Sequence, residues 1–149
     1  MMLLLKEHTK AIREKLDQMR NSRYKVFVLC GSPMSGKTTL AKEVCNALKG
    51  RYIDTTTELL PEIRKPVLGA YSPGHFVRWI ESQLEEPEQV VCFDEIEALV
   101  ATFGEQGTIR LFEILKTVEA RSVAIIATRL ESIVARVAFP KDRIYFLSG

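Results

Sequence analysis

A chain of 149 residues, 46% apolar and 27% charged, is the size of one domain and buries roughly 70% of its unfolded surface on folding, so it needs no disulfide or structural metal. Its formal net charge of +2 is too small to name a partner. The apolar run at residues 1–5 is cut by Lys6, Glu7 and His8; it is too short for a signal-peptide core or a membrane span, and a cytoplasmic protein is expected. Cys30, Cys45 and Cys92 each sit alone in an apolar run without metal-ligand spacing, which predicts small buried hydrophobes in a reducing compartment.

Residues 1–23 read as an amphipathic helix, with Leu5, Ile12, Leu16 and Met19 on one face. Residues 1–25 carry seven Lys or Arg and three Asp or Glu, a local charge of +4. This segment is expected to stand outside the core of residues 24–149 and to serve assembly or partner contact. A solvated helix face is the simpler reading of these charges, and a basic arm touching nucleic acid phosphates or an acidic partner is the alternative.

Residues 25–30 (KVFVLC) are a continuous apolar run, as in a buried parallel strand. Residues 31–36 form a turn, and residues 37–48 a helix that stops at Gly50. Tyr52 and Ile53 mark a second short strand, and residues 55–69 a loop with at most one helical turn. A third helix starts at Pro73; on it Phe76 and Trp79 read as core rather than as a base-stacking platform. Residues 89–93 (QVVCF) are the third strand, residues 108–120 a helix, residues 122–127 (SVAIIA) the fourth strand, residues 130–138 a short helix and residues 144–147 (IYFL) the fifth strand. Strands alternating with helices imply right-handed crossovers and a three-layer α/β fold around a five-stranded parallel sheet. Ligands in such sheets bind beyond the carboxyl ends of the strands.

The motifs fall at those ends. Gly31-Ser32-Pro33-Met34-Ser35-Gly36-Lys37-Thr38 fits G-x-x-x-x-G-K-[ST] in full, between an apolar strand and an amphipathic helix. The glycines permit dihedrals and close approach that a side chain would block. The loop N–H groups and the helix terminus then face phosphate oxygens. Lys37 would reach the β- and γ-phosphates and Thr38 a magnesium ion, with Thr39 adjoining on the first helical turn. Asp94 and Glu95 end the third strand, as a magnesium-holding acid and a water-orienting acid. Thr128 ends the fourth strand, where a polar group would face the attacking water or the γ-phosphate. No Asn-Lys-x-Asp stretch of the guanine-reading kind is present, which favours ATP over GTP.

The order of these motifs resembles that of the AAA+ and related STAND ATPases over residues 24–149. That resemblance implies the strand order 5-1-4-3-2, binding of ATP with Mg2+, ATP hydrolysis, Lys37 and Thr38 as phosphate and metal contacts, Asp94 and Glu95 as metal and water residues, and Thr128 as the first sensor. It also implies an arginine finger acting on a neighbouring subunit shortly before the fifth strand, with Arg136 and Arg143 as candidates and Arg129 as an outsider. The sequence ends after the fifth strand, without the family's helical lid. In length and motif layout it is similar to the small P-loop proteins (BrxF) of BREX phage-defence systems. A homo-oligomeric subunit regulating a larger machine of partner proteins, with no membrane contact, is the leading expectation. A nucleotide or shikimate-type kinase is the alternative, although no Arg-rich lid loop of the kind that clamps a transferring phosphoryl group stands out. A nucleotide-binding scaffold with little activity alone is the third.

Overall fold

The runs at residues 26–31, 90–94 and 123–128 are buried almost throughout and leave their backbone groups to be satisfied by neighbouring strands; the part-exposed runs at 51–54 and 144–147 form the two edges. The computed structural model describes residues 2–32, 35–63, 71–86 and 90–147, with side chains from residue 5 onward. The strands are β1 (Val26–Gly31), β2 (Arg51–Asp54), β3 (Val90–Asp94), β4 (Val123–Thr128) and β5 (Ile144–Leu147), and the helices are α1 (Met2–Met19), α2 (Lys37–Ala47), α3 (Thr55–Glu58), α4 (Pro73–Ser82), α5 (Glu97–Val100), α6 (Gly104–Leu115) and α7 (Glu131–Arg136). Short 3-10 turns occur at Leu60–Glu62, Ala101–Phe103 and Lys141–Arg143.

All strand pairs are parallel and the order across the sheet is β2-β3-β4-β1-β5, the order implied by the family resemblance. Cys30 pairs with Thr128 and Asp54 with Asp94, so the carboxyl ends of β1 to β4 finish level, at the edge where the phosphate loop begins.

Alternation along the strands builds two cores. Val26, Val28 and Cys30 face one side, with Phe76 and Ile80 of α4 and Leu111, Phe112 and Leu115 of α6. Phe27, Leu29, Cys92, Ile125 and Ala127 face the other, with Leu40, Val44 and Cys45 of α2. Complete burial of side chains such as Phe27, Phe93 and Phe112 contributes about 1.5–3 kcal/mol each. All three cysteines are buried and free; burial pushes the Cys30 thiol up to about 12.

The role expected of the first helix is corrected here. Ile12, Leu16 and Met19 are buried with Phe27, Leu29, Leu40 and Val44, so the stripe assigned to assembly is used inside the domain's own second core. His8 of α1 also bonds the Tyr145 hydroxyl on β5, and Lys25 donates to the carbonyls of Met19 and Arg20 at the end of α1.

Three boundaries shift for local reasons. Helix α6 starts at Gly104, whose φ of 73° redirects the chain after the turns that follow β3. It ends at Leu115, which lets Val118 accept a hydrogen bond from the Lys25 N–H (2.9 Å). After α2 the left-handed residue is Lys49 (φ 54°) rather than Gly50; a Cβ on Gly50 would lie 2.4 Å from the Val90 carbonyl oxygen, so that glycine serves close approach instead. The loop expected at residues 55–69 contains α3 and one 3-10 turn up to Ile63, and its remainder lies outside the described residues.

Candidate functional site

The site is built at the junction of β1 and α2. Strand β1 ends at Gly31, where a Cβ would come within 2.5 Å of the Ser35 hydroxyl. Ser35 closes the loop by donating its hydroxyl (2.8 Å) and its N–H (3.1 Å) to the Ser32 carbonyl. Gly36 has φ 87°, open to glycine and strained for other residues, and from there α2 runs inward. The first N–H groups of any helix lack intrahelical acceptors, and among the described residues no side chain caps those of α2. Ser32, Gly36 and Thr39 are exposed, and Lys37 is buried. Pro33 and Met34 lie outside the described residues.

Lys37 and Thr38 converge on Asp94, across 56 residues of chain. The Thr38 hydroxyl donates to Asp94 Oδ2 at 2.8 Å, and Lys37 Nζ stands 3.6 Å from Asp94 Oδ1. Asp94 has no exposed surface, and Lys37 keeps 8%. A buried carboxylate must be paired and hydrogen-bonded. Here the Glu95 N–H also donates to Oδ1 (2.9 Å) and the Tyr52 hydroxyl to Oδ2 (2.7 Å). Burial and the Asp94 carboxylate both push the Tyr52 phenol up, so it remains a proton donor.

Glu95 differs from Asp94 in every respect. It is exposed, its φ is 57°, and among the described residues its carboxylate forms no hydrogen bond or ion pair. Its carbonyl accepts from the Thr56 hydroxyl (2.9 Å), which holds the turn. A non-glycine residue in the left-handed region costs about 1 kcal/mol or more, and such strain collects at positions where a side chain must be aimed.

Thr128 is buried at the end of β4, level with Cys30. Its hydroxyl donates to Glu97 Oε2 (2.8 Å) and accepts from the Leu130 N–H (3.1 Å), while the Arg129 N–H also donates to Glu97 (3.2 Å). Glu97 is therefore the carboxylate that holds the Thr128 hydroxyl at the end of β4.

The two arginine candidates separate. Arg143 is withdrawn: it lies at the amino end of β5, the end of the sheet opposite the loop, and only 6% of it is exposed. Its guanidinium donates to the carbonyls of Lys116 (3.0 Å) and Val26 (3.4 Å) and sits over the rings of Phe139 and Tyr24. Arg136 is exposed on α7 and paired with Glu105. Arg129, set aside on sequence, is exposed immediately after Thr128, at the phosphate-loop end of the sheet.

Tyr52, Thr56 and Glu97 were not singled out from the sequence. None stands within a motif; Tyr52 and Thr56 reach Asp94 and Glu95 through the β2–β3 register, and that register has no signature in a single sequence. Glu97 follows Glu95 by two positions, and only the turn into α5 swings it toward β4.

The residues fit a nucleotide with a hard cation: a cradle that a Cβ would fill, a buried lysine, and two oxygen donors, Thr38 and Asp94, suited to magnesium rather than to a soft metal. Fold and site together define a P-loop nucleotide-binding domain of the parallel α/β class. The family model of the AAA proteins, the ATPase family associated with various cellular activities, matches residues 27–138, and the chain belongs to that family. No individual curated protein is a significant match. Among the described residues no helix is long and apolar enough to cross a membrane.

Proposed function

We propose that this chain is a magnesium-dependent ATPase that works as a homo-oligomeric subunit of a larger machine. The observation that carries the reading is the convergence of Lys37 and Thr38 on the wholly buried Asp94. Among the described residues Lys37 has one charged partner, Asp94 at 3.6 Å, which leaves it N–H groups to meet an anionic ligand.

In this reading the loop backbone and Lys37 bind the phosphates, and Thr38 and Asp94 hold the cation, Asp94 through a water. Glu95 orients the attacking water and takes its proton, for which an unpaired, exposed carboxylate is suited. Thr128, released from Glu97, contacts the γ-phosphate. Bound magnesium would neutralise charge on the β- and γ-phosphate oxygens. Arg136, or Arg129 by virtue of its position, reaches a nucleotide bound in the neighbouring copy; an arginine finger is worth about 10³ to 10⁵ in rate. The resemblance to the BREX P-loop proteins is the basis for placing the machine in phage defence, in the cytoplasm. The basic residues on the outer face of α1 are where nucleic acid would be contacted.

Phosphate release from ATP, measured across protein concentrations, tests this. Specific activity should rise steeply with concentration. Mixing Arg136→Ala with Lys37→Ala protein should restore some activity, because each supplies what the other lacks. If Arg136→Ala keeps wild-type activity, the finger passes to Arg129. Activity per chain that is constant down to a proven monomer contradicts action between subunits.

A further inference from the structure

We propose that Tyr52 is a positioning residue for the cation site: its hydroxyl fixes the orientation of Asp94 that cation binding requires. The proposal rests on the magnesium–nucleotide reading above and adds to it a residue outside both motifs.

Among the described residues three hydrogen-bond donors and one ion-pair partner hold the Asp94 carboxylate: the Glu95 N–H and, as the ion pair, Lys37 at Oδ1, and the Thr38 and Tyr52 hydroxyls at Oδ2. Two of them have a second duty, because Lys37 must serve phosphate and Thr38 the cation. The Glu95 N–H belongs to a left-handed residue that must also aim its own side chain. Tyr52 has no such duty. At 2.7 Å it makes the shortest of the four contacts, and its bond persists whether or not Lys37 and Thr38 are recruited.

The ring is also held from behind. Tyr52 pairs with Cys92 in the β2–β3 register and packs against the α2-side core, and Lys42 of α2 sits over its face at 5.2 Å. A phenol with two side-chain torsions, fixed on a strand and capped by a helix, is a rigid donor. A buried carboxylate keeps one orientation only while its hydrogen bonds define it. Removing this donor leaves Asp94 with one fewer constraint on the oxygen that Thr38 also uses. Groups that orient a metal-site ligand typically alter metal affinity 10–100-fold when removed.

The test is ATP binding to full-length wild-type and Tyr52→Phe protein by calorimetry, first in EDTA and then across a magnesium titration. Phenylalanine retains the ring, its packing and the Lys42 contact. The proposal expects equal ATP affinity in EDTA, a magnesium half-saturation point raised about tenfold, and turnover at saturating magnesium within about threefold of wild type. The unfolding midpoint of the nucleotide-free protein should be nearly unchanged. An unshifted magnesium titration overturns the proposal, and so does an equal loss of ATP affinity with and without magnesium, which would make Tyr52 a packing residue. Wild-type protein whose ATP binding ignores magnesium would remove the underlying reading and the proposal with it.

Discussion

The two ends of the sheet bury cations for opposite ends. At the amino end Arg143 is 6% exposed, and its guanidinium is shared between two backbone carbonyls and two aromatic faces. Lys116, half-buried, donates to the Val137 carbonyl (2.6 Å) and pairs with Glu113 (3.1 Å), and half-buried Lys25 closes the end of α1. At the carboxyl end Lys37 is buried almost as deeply, at 8%, yet its ion-pair partner is a carboxylate at 3.6 Å, beside a glycine loop and a strained acid. A basic side chain bonded to backbone carbonyls and stacked on aromatic rings staples the chain to itself. One buried against a carboxylate beside a glycine loop is the one proposed to meet a ligand.

Breaking the carboxyl end should abolish function and leave the fold. Glu95→Gln should lower turnover by about 10² to 10⁴ while ATP binding persists, as read by phosphate release beside calorimetry. Lys37→Ala should remove most of the stabilisation that ATP with magnesium confers, about 2.7 kcal/mol at a hundred times the dissociation constant, as read by thermal shift.

Breaking the amino end should do the reverse. Arg143→Ala removes a donor from one buried and one part-buried carbonyl, at about 1–3 kcal/mol each, so denaturant unfolding should show a loss of about 2–6 kcal/mol with ATP affinity unchanged in the folded fraction. Ile12→Ala on α1 should cost about 2–5 kcal/mol. Removal of residues 1–22 should unfold the domain rather than alter its assembly; intact nucleotide binding in that truncation would return α1 to a separate role. Arg136→Ala, on an exposed ion pair, should change stability by less than about 0.5 kcal/mol. The smallest effect sharpens the contrast most. Glu95→Gly relieves a left-handed backbone and should raise stability by up to about 1 kcal/mol while it abolishes turnover.

The strands and the phosphate loop were legible because both have local signatures, while the sheet order followed only from the family resemblance that the motifs carry. The loop motif sits between a continuous apolar run and an amphipathic helix, and the Asp94-Glu95 pair ends another such run. Contacts between distant segments were not legible. The stripe Leu5, Ile12, Leu16, Met19 reads the same whether it faces a partner or α2; only the placement of α2 decides, and the domain's own core has it. Arg143 shares its residue type and its place before β5 with a finger, but the end of the strand on which it lies puts it opposite the loop. Tyr52 and Glu97 join the site through strand register and a helical turn, neither of which is encoded in a motif.

Hydrogen–deuterium exchange with and without ATP and magnesium tests the division of the sheet most directly. Added protection is expected at the phosphate loop, the first turn of α2, Asp94–Glu95 and Thr128–Arg129, with none around Lys25, Val118 and Arg143. Protection centred on the Arg143 end, or none at the loop at saturating ATP and magnesium, would contradict it.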